Sequence, residues 1–148
     1  MEYGSIERDI YIDASPDVVF EVVSQPEHIR EWWSDEADFE SAPGAAGELV
    51  WGDRDHVSPI TIVDVDRPRS FSFRWCYPDG ATLENSLLVT FELIAQGEGT
   101  LLRMSETGFR EMGWEVAVLE QQYAEHVEGW NRFIPILGAY AARVGSLR

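Results

Sequence analysis

"EGWNRFIPILGAYAARVG", Glu128 to Gly145, is the stretch whose reading decides the fold. Tyr123, Val127, Trp130, Ile134, Leu137 and Ala141 follow i, i+3/i+4 spacing and form one apolar stripe along a helix. A helix over Leu119–Arg143 is roughly 37 Å long at 1.5 Å per residue. Phe133, Ile136 and Tyr140 lie beside the stripe and widen the apolar arc beyond what covering a sheet needs. That surplus must meet the short helices, a ligand or a subunit. Pro135 removes the bond to the carbonyl of Asn131 and is expected to bend the helix there. Such a bend lets the helix follow a curved sheet, or it makes a hinge or frees a carbonyl for a ligand.

Upstream of this segment the period changes from helical to alternating. Leu102, Met104 and Glu106 share one parity, as do Leu87, Val89, Phe91 and Leu93, and again Phe71, Phe73 and Trp75. "YPDG" (Tyr77–Gly80) and "QGEG" (Gln96–Gly99) mark turns between them. Further back, Leu49 and Trp51 alternate with polar neighbours, "SPITIVDVDRP" reads as a strand ending near Pro68, and "SAPGAAGE" (Ser41–Glu48) reads as a turn region. The chain opens with a strand in which Ile6, Arg8, Ile10 and Ile12 share a parity. Two short helices follow. Ser15 is placed to cap the first and Pro16 to occupy its first turn, while Pro26 starts a second that carries His28 and Ile29 towards Trp32 and Trp33. Strands joined in sequence by short turns imply an antiparallel meander, and a twisted sheet of that size curls. The expectation is a single α+β domain over residues 1–148, a curved antiparallel sheet gripping a long C-terminal helix, with two short helices after the first strand.

Composition narrows the function classes. Of 148 residues, 45% are apolar and 12% aromatic, which excludes whole-chain disorder. A net charge of −16 offers no basic surface for phosphates, so nucleic acid and anionic membrane are poor partners, although a basic protein partner stays possible. Cys76 is the one cysteine, which leaves no internal disulfide and no cysteine zinc cluster; it lies on the parity opposite Phe71, Phe73 and Trp75. No segment has the length and apolarity of a membrane span or signal sequence, and the expected location is the cytoplasm.

"IERDIYIDASPDVVFEVVSQPEHIREWW" resembles the opening of the START-like, helix-grip superfamily, and within it the branch of homologues of the activator of heat-shock protein 90 ATPase. "SPDVVF…PEHIREWW", Gly47–Glu48–Leu49, "ITIVDVDRPRSFSFRW", "GTLLRMSETGF" and "GWNRF…L…Y" carry the resemblance across nearly the whole chain. The segment between Gly108 and Gly129 is longer than the family pattern, and Pro135 departs from it. What the resemblance implies is a cavity between sheet and long helix that takes small apolar or amphipathic molecules, without implying any one reaction.

No metal site is expected: His28, His56 and His126 have no partner at ligand spacing, and "GDRDH" (Gly52–His56) reads as a polar hairpin turn. No cofactor is expected. Nucleophile motifs are missing as well. Glu106 shares the inward parity of Leu102 and Met104. Against apolar walls its carboxylate could serve as acid or base; at the rim it would be solvated or paired with an Arg. His126, one turn before Trp130, could face Glu106 or cover the helix flank. Of Trp32 and Trp33, one is expected in the core and the other near the cavity mouth.

The expected role is therefore binding of a small hydrophobic or amphipathic molecule. The expected lining is Trp33, Trp51, Phe73, Trp75, Val89, Phe91, Met104, Glu106, Trp130, Phe133, Ile134 and Leu137. Two other roles remain open: an interaction like that of the chaperone ATPase activator, and a cyclase- or hydrolase-type enzyme using Glu106, with or without His126. The ligand and the oligomeric state are not legible in the residues.

Overall fold

The alternating segments become strands and the helical segment a single long helix in a computed structural model that describes residues 4–75 and 86–147. The order is β1 (Ser5–Ile12), α1 (Pro16–Ser24), α2 (Pro26–Trp32), β2 (Glu36–Asp38), β3 (Ala46–Trp51), β4 (His56–Asp66), β5 (Ser70–Trp75), β6 (Leu87–Gln96), β7 (Gly99–Thr107) and α3 (Val116–Ser146). A short 3-10 turn, Arg110–Met112, leads into α3. Cys76 and the turn Tyr77–Gly80 lie outside the described residues.

Every neighbouring strand pair is antiparallel, in the spatial order β1-β7-β6-β5-β4-β3-β2. Only β1 leaves the chain order, and it closes the meander beside β7. The register sets Ile6 opposite Glu106, Val89 opposite Glu106 and Phe91 opposite Met104, so one face of the sheet carries the inward parity read above. Phe71, Phe73, Val89, Phe91, Leu102 and Met104 on that face are buried with Trp130, Ile134, Leu137 and Ala141 of α3. The α+β architecture, with two short helices after the first strand and a long closing helix, matches the expectation.

The differences are local and have physical reasons. β2 sits inside the acidic run after Trp33, where three residues pair with β3 although their composition carries little strand signal. β3 begins at Ala46, within the segment expected to turn, because Gly47 lets β2 come close: a β-carbon there would run into the carbonyl of Asp38 and the Cβ of Phe39. α3 extends three residues beyond each expected end, to Val116 and Ser146. Pro135 and Asn131 are both exposed, so the carbonyl that Pro135 leaves unbonded lies on the solvent side, away from the interior.

The helix does not lie evenly over the sheet. Its closest backbone approaches are to β1, α1 and α2. Gly138 brings it against β1, where an added β-carbon would stand 2.9 Å from Cδ1 of Ile10. The hydroxyl of Tyr140 lies 2.8 Å from Nδ1 of His28 and ties α3 to α2. Burial, and after it the negative charge of Glu31, holds that phenol above its usual range, so it stays a neutral hydrogen-bonding group. The helix thus leans towards β1, and the space over β3, β4 and β5 is left to large side chains.

Gly47→Ala should separate β2 from β3. Urea denaturation is expected to show a loss of about 1–3 kcal/mol, the usual cost of forcing an extra carbon into a packed site.

Candidate functional site

Glu106 is completely buried near the end of β7, between Ile6 and Val89 on the neighbouring strands. A carboxylate there gives up its hydration, at a cost of several kcal/mol for a buried ion. Three ring nitrogens replace the water. Nε1 of Trp75 donates to Oε2 at 2.7 Å, and Nε1 of Trp130 donates to Oε1 at 2.8 Å. Nδ1 of His126 lies 2.8 Å from Oε1. Trp75 comes from the end of β5, while His126 and Trp130 are four residues apart on α3 and so project from the same side of that helix. One side chain of the sheet therefore holds both a distant strand and the helix. Neither of the two rim placements applies to Glu106, and His126 faces it rather than covering the helix flank.

The rings around this carboxylate are fixed by one another. The His126 ring packs 5.4 Å from the ring centres of both Trp75 and Phe109, and its side chain is 13% exposed. Trp33 lies 5.0 Å from Trp75 and 5.1 Å from Trp130. It follows the last residue of α2 with non-helical dihedrals, φ −126° and ψ −80°. That turn lets Trp33 stack on Trp32 at 5.6 Å and 9°, which adjacent residues inside a helix do not do. Trp32 is the core member, its Nε1 donating to the carbonyl of Val22 at 2.9 Å; Trp33 is the one nearer the opening.

A pocket of about 290 Å³ opens between this cluster and the N-terminal half of α3. Trp33, Trp51, His56, Trp75, Gln122, Glu125, His126, Gly129, Trp130 and Phe133 line it. Five residues expected in the lining are there: Trp33, Trp51, Trp75, Trp130 and Phe133. Phe73, Val89, Phe91, Met104, Ile134 and Leu137 are packed core, each at most 5% exposed, and Glu106 lies behind the wall as its anchor. The reason is the lean of α3, which closes the middle of the sheet with interdigitated side chains and leaves room over Trp51 and Trp75.

Four lining residues were not anticipated. His56 begins β4 and packs 5.6 Å from Trp51; "GDRDH" does turn, with Gly52 at φ 69° and Arg54 at φ 64°, but its last residue belongs to the pocket. Gln122 and Glu125 sit on α3 two turns and one turn before Gly129, and their polar side chains carried no sign of a cavity. Gly129 had the strongest available signal, a glycine inside a helix. Its absent side chain touches nothing: a β-carbon there would have no neighbour within 4 Å. Among the described residues no three His, Cys, Asp or Glu side chains are grouped to hold a metal. A larger depression, about 590 Å³, lies on the outer face of the sheet among Glu7, Asp9, Glu92 and Arg103, with no link to these aromatic side chains. No described helix is long and apolar enough to cross a membrane.

The arrangement has a chemical consequence. Glu106 has no open path to a ligand, because its oxygens are occupied and buried. His126 stands between it and the pocket. Any acid or base chemistry would run through His126, with Glu106 orienting the ring, a carboxylate–histidine pair of general type. Glu106→Gln should therefore act first on stability. Its amide nitrogen would confront at least one N–H donor, and denaturation should show a loss of about 1–3 kcal/mol for that unsatisfied group, with an unchanged urea slope.

With the geometry established, the relatives are informative about fold. Protein MLL2253 from Mesorhizobium loti superimposes with a TM-score of 0.77 at 24% identity, over 94% of this chain and 97% of that one. CalU16 from Micromonospora echinospora gives 0.68 at 21%, over 96% and 80%. The Aha1 dimer from Colwellia psychrerythraea gives 0.68 at 13%, over 90% and 92%. No curated protein matches the chain. The family model for Activator of Hsp90 ATPase homolog 1-like protein matches residues 13–142, and the chain belongs to that family.

Proposed function

We propose that this protein binds a small, largely apolar or amphipathic molecule in the pocket beside Gly129. The observation that carries the reading is Gly129 itself. A glycine inside a helix costs about 0.8–1 kcal/mol relative to alanine. Packing usually explains such a residue, as the contact with β1 does for Gly138. At Gly129 a side chain would enter open space, and Gly129 is part of the pocket wall. The helix gives up stability where the absence of a side chain serves only to keep a cavity wide.

The walls support the same reading. Trp51, Trp75, Trp130 and Phe133 offer flat apolar surface, while His56, Gln122, Glu125 and His126 supply a polar margin. Small-molecule sites have this mixture, a mostly aromatic lining with a few polar groups that orient the ligand. An apolar cavity of about 150 Å³ accepts benzene. A pocket of about 290 Å³ therefore suits a molecule of one or two rings.

Naphthalene and indole, titrated into the protein, should quench or shift its tryptophan fluorescence and raise the melting temperature. The stabilisation should reach about 2.7 kcal/mol when free ligand is a hundred times its dissociation constant. Gly129→Leu should melt at or above the temperature of the unliganded parent, because it improves the helix, yet show no ligand-induced shift. Equal ligand shifts in the parent and in Gly129→Leu would refute binding at this pocket.

A further inference from the structure

We infer that the pocket selects an aromatic molecule carrying a weakly acidic hydroxyl, a phenol in the general sense, and that Nε2 of His126 accepts its proton. This rests on the reading that the pocket binds a small molecule and adds the chemical class of that molecule.

The hydrogen-bond pattern around Glu106 sets the tautomer. An ionised carboxylate only accepts, and it faces donors from Trp75 and Trp130. Nδ1 of His126, 2.8 Å from the same carboxylate, then carries the hydrogen. In the neutral ring Nε2 is left as a bare acceptor. His126 lines the pocket, and among the described residues Nε2 has no hydrogen-bond partner. A ligand that matches it must bring a hydrogen.

The surroundings decide how acidic that hydrogen donor can be and in what form it arrives. Among the described residues, Glu106 from β7 bonds His126, and the other titratable groups on the pocket wall are His56 from β4 and Glu125 from its own helix; β5 and the segment before α3 contribute the rings of Trp75 and Phe109. No Arg among the described residues lines the pocket, and the chain carries a net charge of −16. A free carboxylate or phosphate would be repelled on approach. A phenol enters neutral. Once inside, its O–H bond breaks, the electron pair stays on oxygen, and the proton forms the Nε2–H bond. The imidazolium then lies between the phenolate and the carboxylate of Glu106, and the net charge of the site is unchanged. Contact with the open side of the aromatic wall places the ring; the proton places the oxygen.

Four tryptophans also invite comparison with an aromatic cage for an organic cation, which needs open ring faces. These faces are largely taken. Trp33 stacks on Trp32 at 5.6 Å, meets Trp130 at 5.1 Å and lies 5.8 Å from Phe73, while Trp130 lies 6.3 Å from Phe91. The cluster is a packed wall with one open side, which fits a flat ring better than a tetrahedral ammonium group.

The test compares para-nitrophenol with its methyl ether, para-nitroanisole, at a mildly acidic pH where free nitrophenol is mostly neutral. The nitrophenol should bind tighter by about tenfold or more, the range of a charge-assisted hydrogen bond. Its phenolate absorption band should grow as it binds. His126→Phe keeps a ring between Trp75 and Phe109 and leaves both indole donors on Glu106; it should abolish the band and the preference while the circular dichroism stays native. Should that variant not fold, the two probes on the unaltered protein still decide. Equal affinity for phenol and ether without a phenolate band would overturn the proposal and leave small-molecule binding intact. Preferential binding of benzyltrimethylammonium would overturn it in favour of a cation site. Binding of neither nitro compound would also overturn it, and the naphthalene titration would then show whether the wider reading falls with it.

Discussion

A single buried carboxylate holds the sheet, the helix and the pocket wall in one arrangement. Glu106 lies among apolar neighbours on the concave face, and the indole donors of Trp75 and Trp130 with Nδ1 of His126 account for its hydrogen bonds. Each partner is constrained in return. Trp75 must lean across β6, Trp130 must point to the sheet, and His126 must turn its other nitrogen away from the carboxylate. A buried polar network specifies geometry because any other arrangement leaves a donor or a charge unsatisfied. In a core otherwise built from Phe, Val, Leu and Ile, which tolerate repacking, this is the group that permits least variation.

The location of the pocket follows from two glycines with opposite roles. Gly138 is a close-contact residue that draws the C-terminal part of α3 onto β1. Gly129, nine positions earlier in the same helix, meets nothing. Between them the helix passes from a packed interface to an open one, and the aromatic cluster fills only part of the widening gap. The wide apolar arc of the helix is divided accordingly. Phe133 faces the pocket, Tyr140 packs against α2 through His28, and Ile136 is 41% exposed to solvent. The surplus apolar surface was never one face with one purpose.

Much of the fold was legible because it rests on periodicity. The alternation of Phe71, Phe73 and Trp75, and of Leu102, Met104 and Glu106, set their common face, and the stripe through Trp130 and Leu137 set the helix. β2 was not legible, since its three residues are held by pairing with β3 and by the small size of Gly47, neither of which leaves a hydropathy signal. The site was legible by parity and not by depth. Parity places Phe91 and Trp75 on the same side of the sheet, yet only Trp75 reaches the pocket, because depth depends on where the helix leans. His56 was hidden for another reason: a residue beside a polar turn gives no sign that the strand it begins runs along a cavity. The role of Glu106 was half visible. Its inward parity was correct, but the three ring nitrogens that bind it come from positions 75, 126 and 130, whose convergence only the tertiary structure creates.

The central claim, that Glu106 fixes the rings around it and presents Nε2 of His126 to the pocket, can be read directly from nitrogen-15 NMR of the unliganded protein. Neutral His126 is expected to carry its hydrogen on Nδ1 with Nε2 bare. The indole hydrogens of Trp75 and Trp130 are expected to exchange with solvent only as slowly as the packed core opens. A neutral His126 protonated on Nε2, together with rapidly exchanging indole hydrogens at Trp75 and Trp130, would contradict the claim.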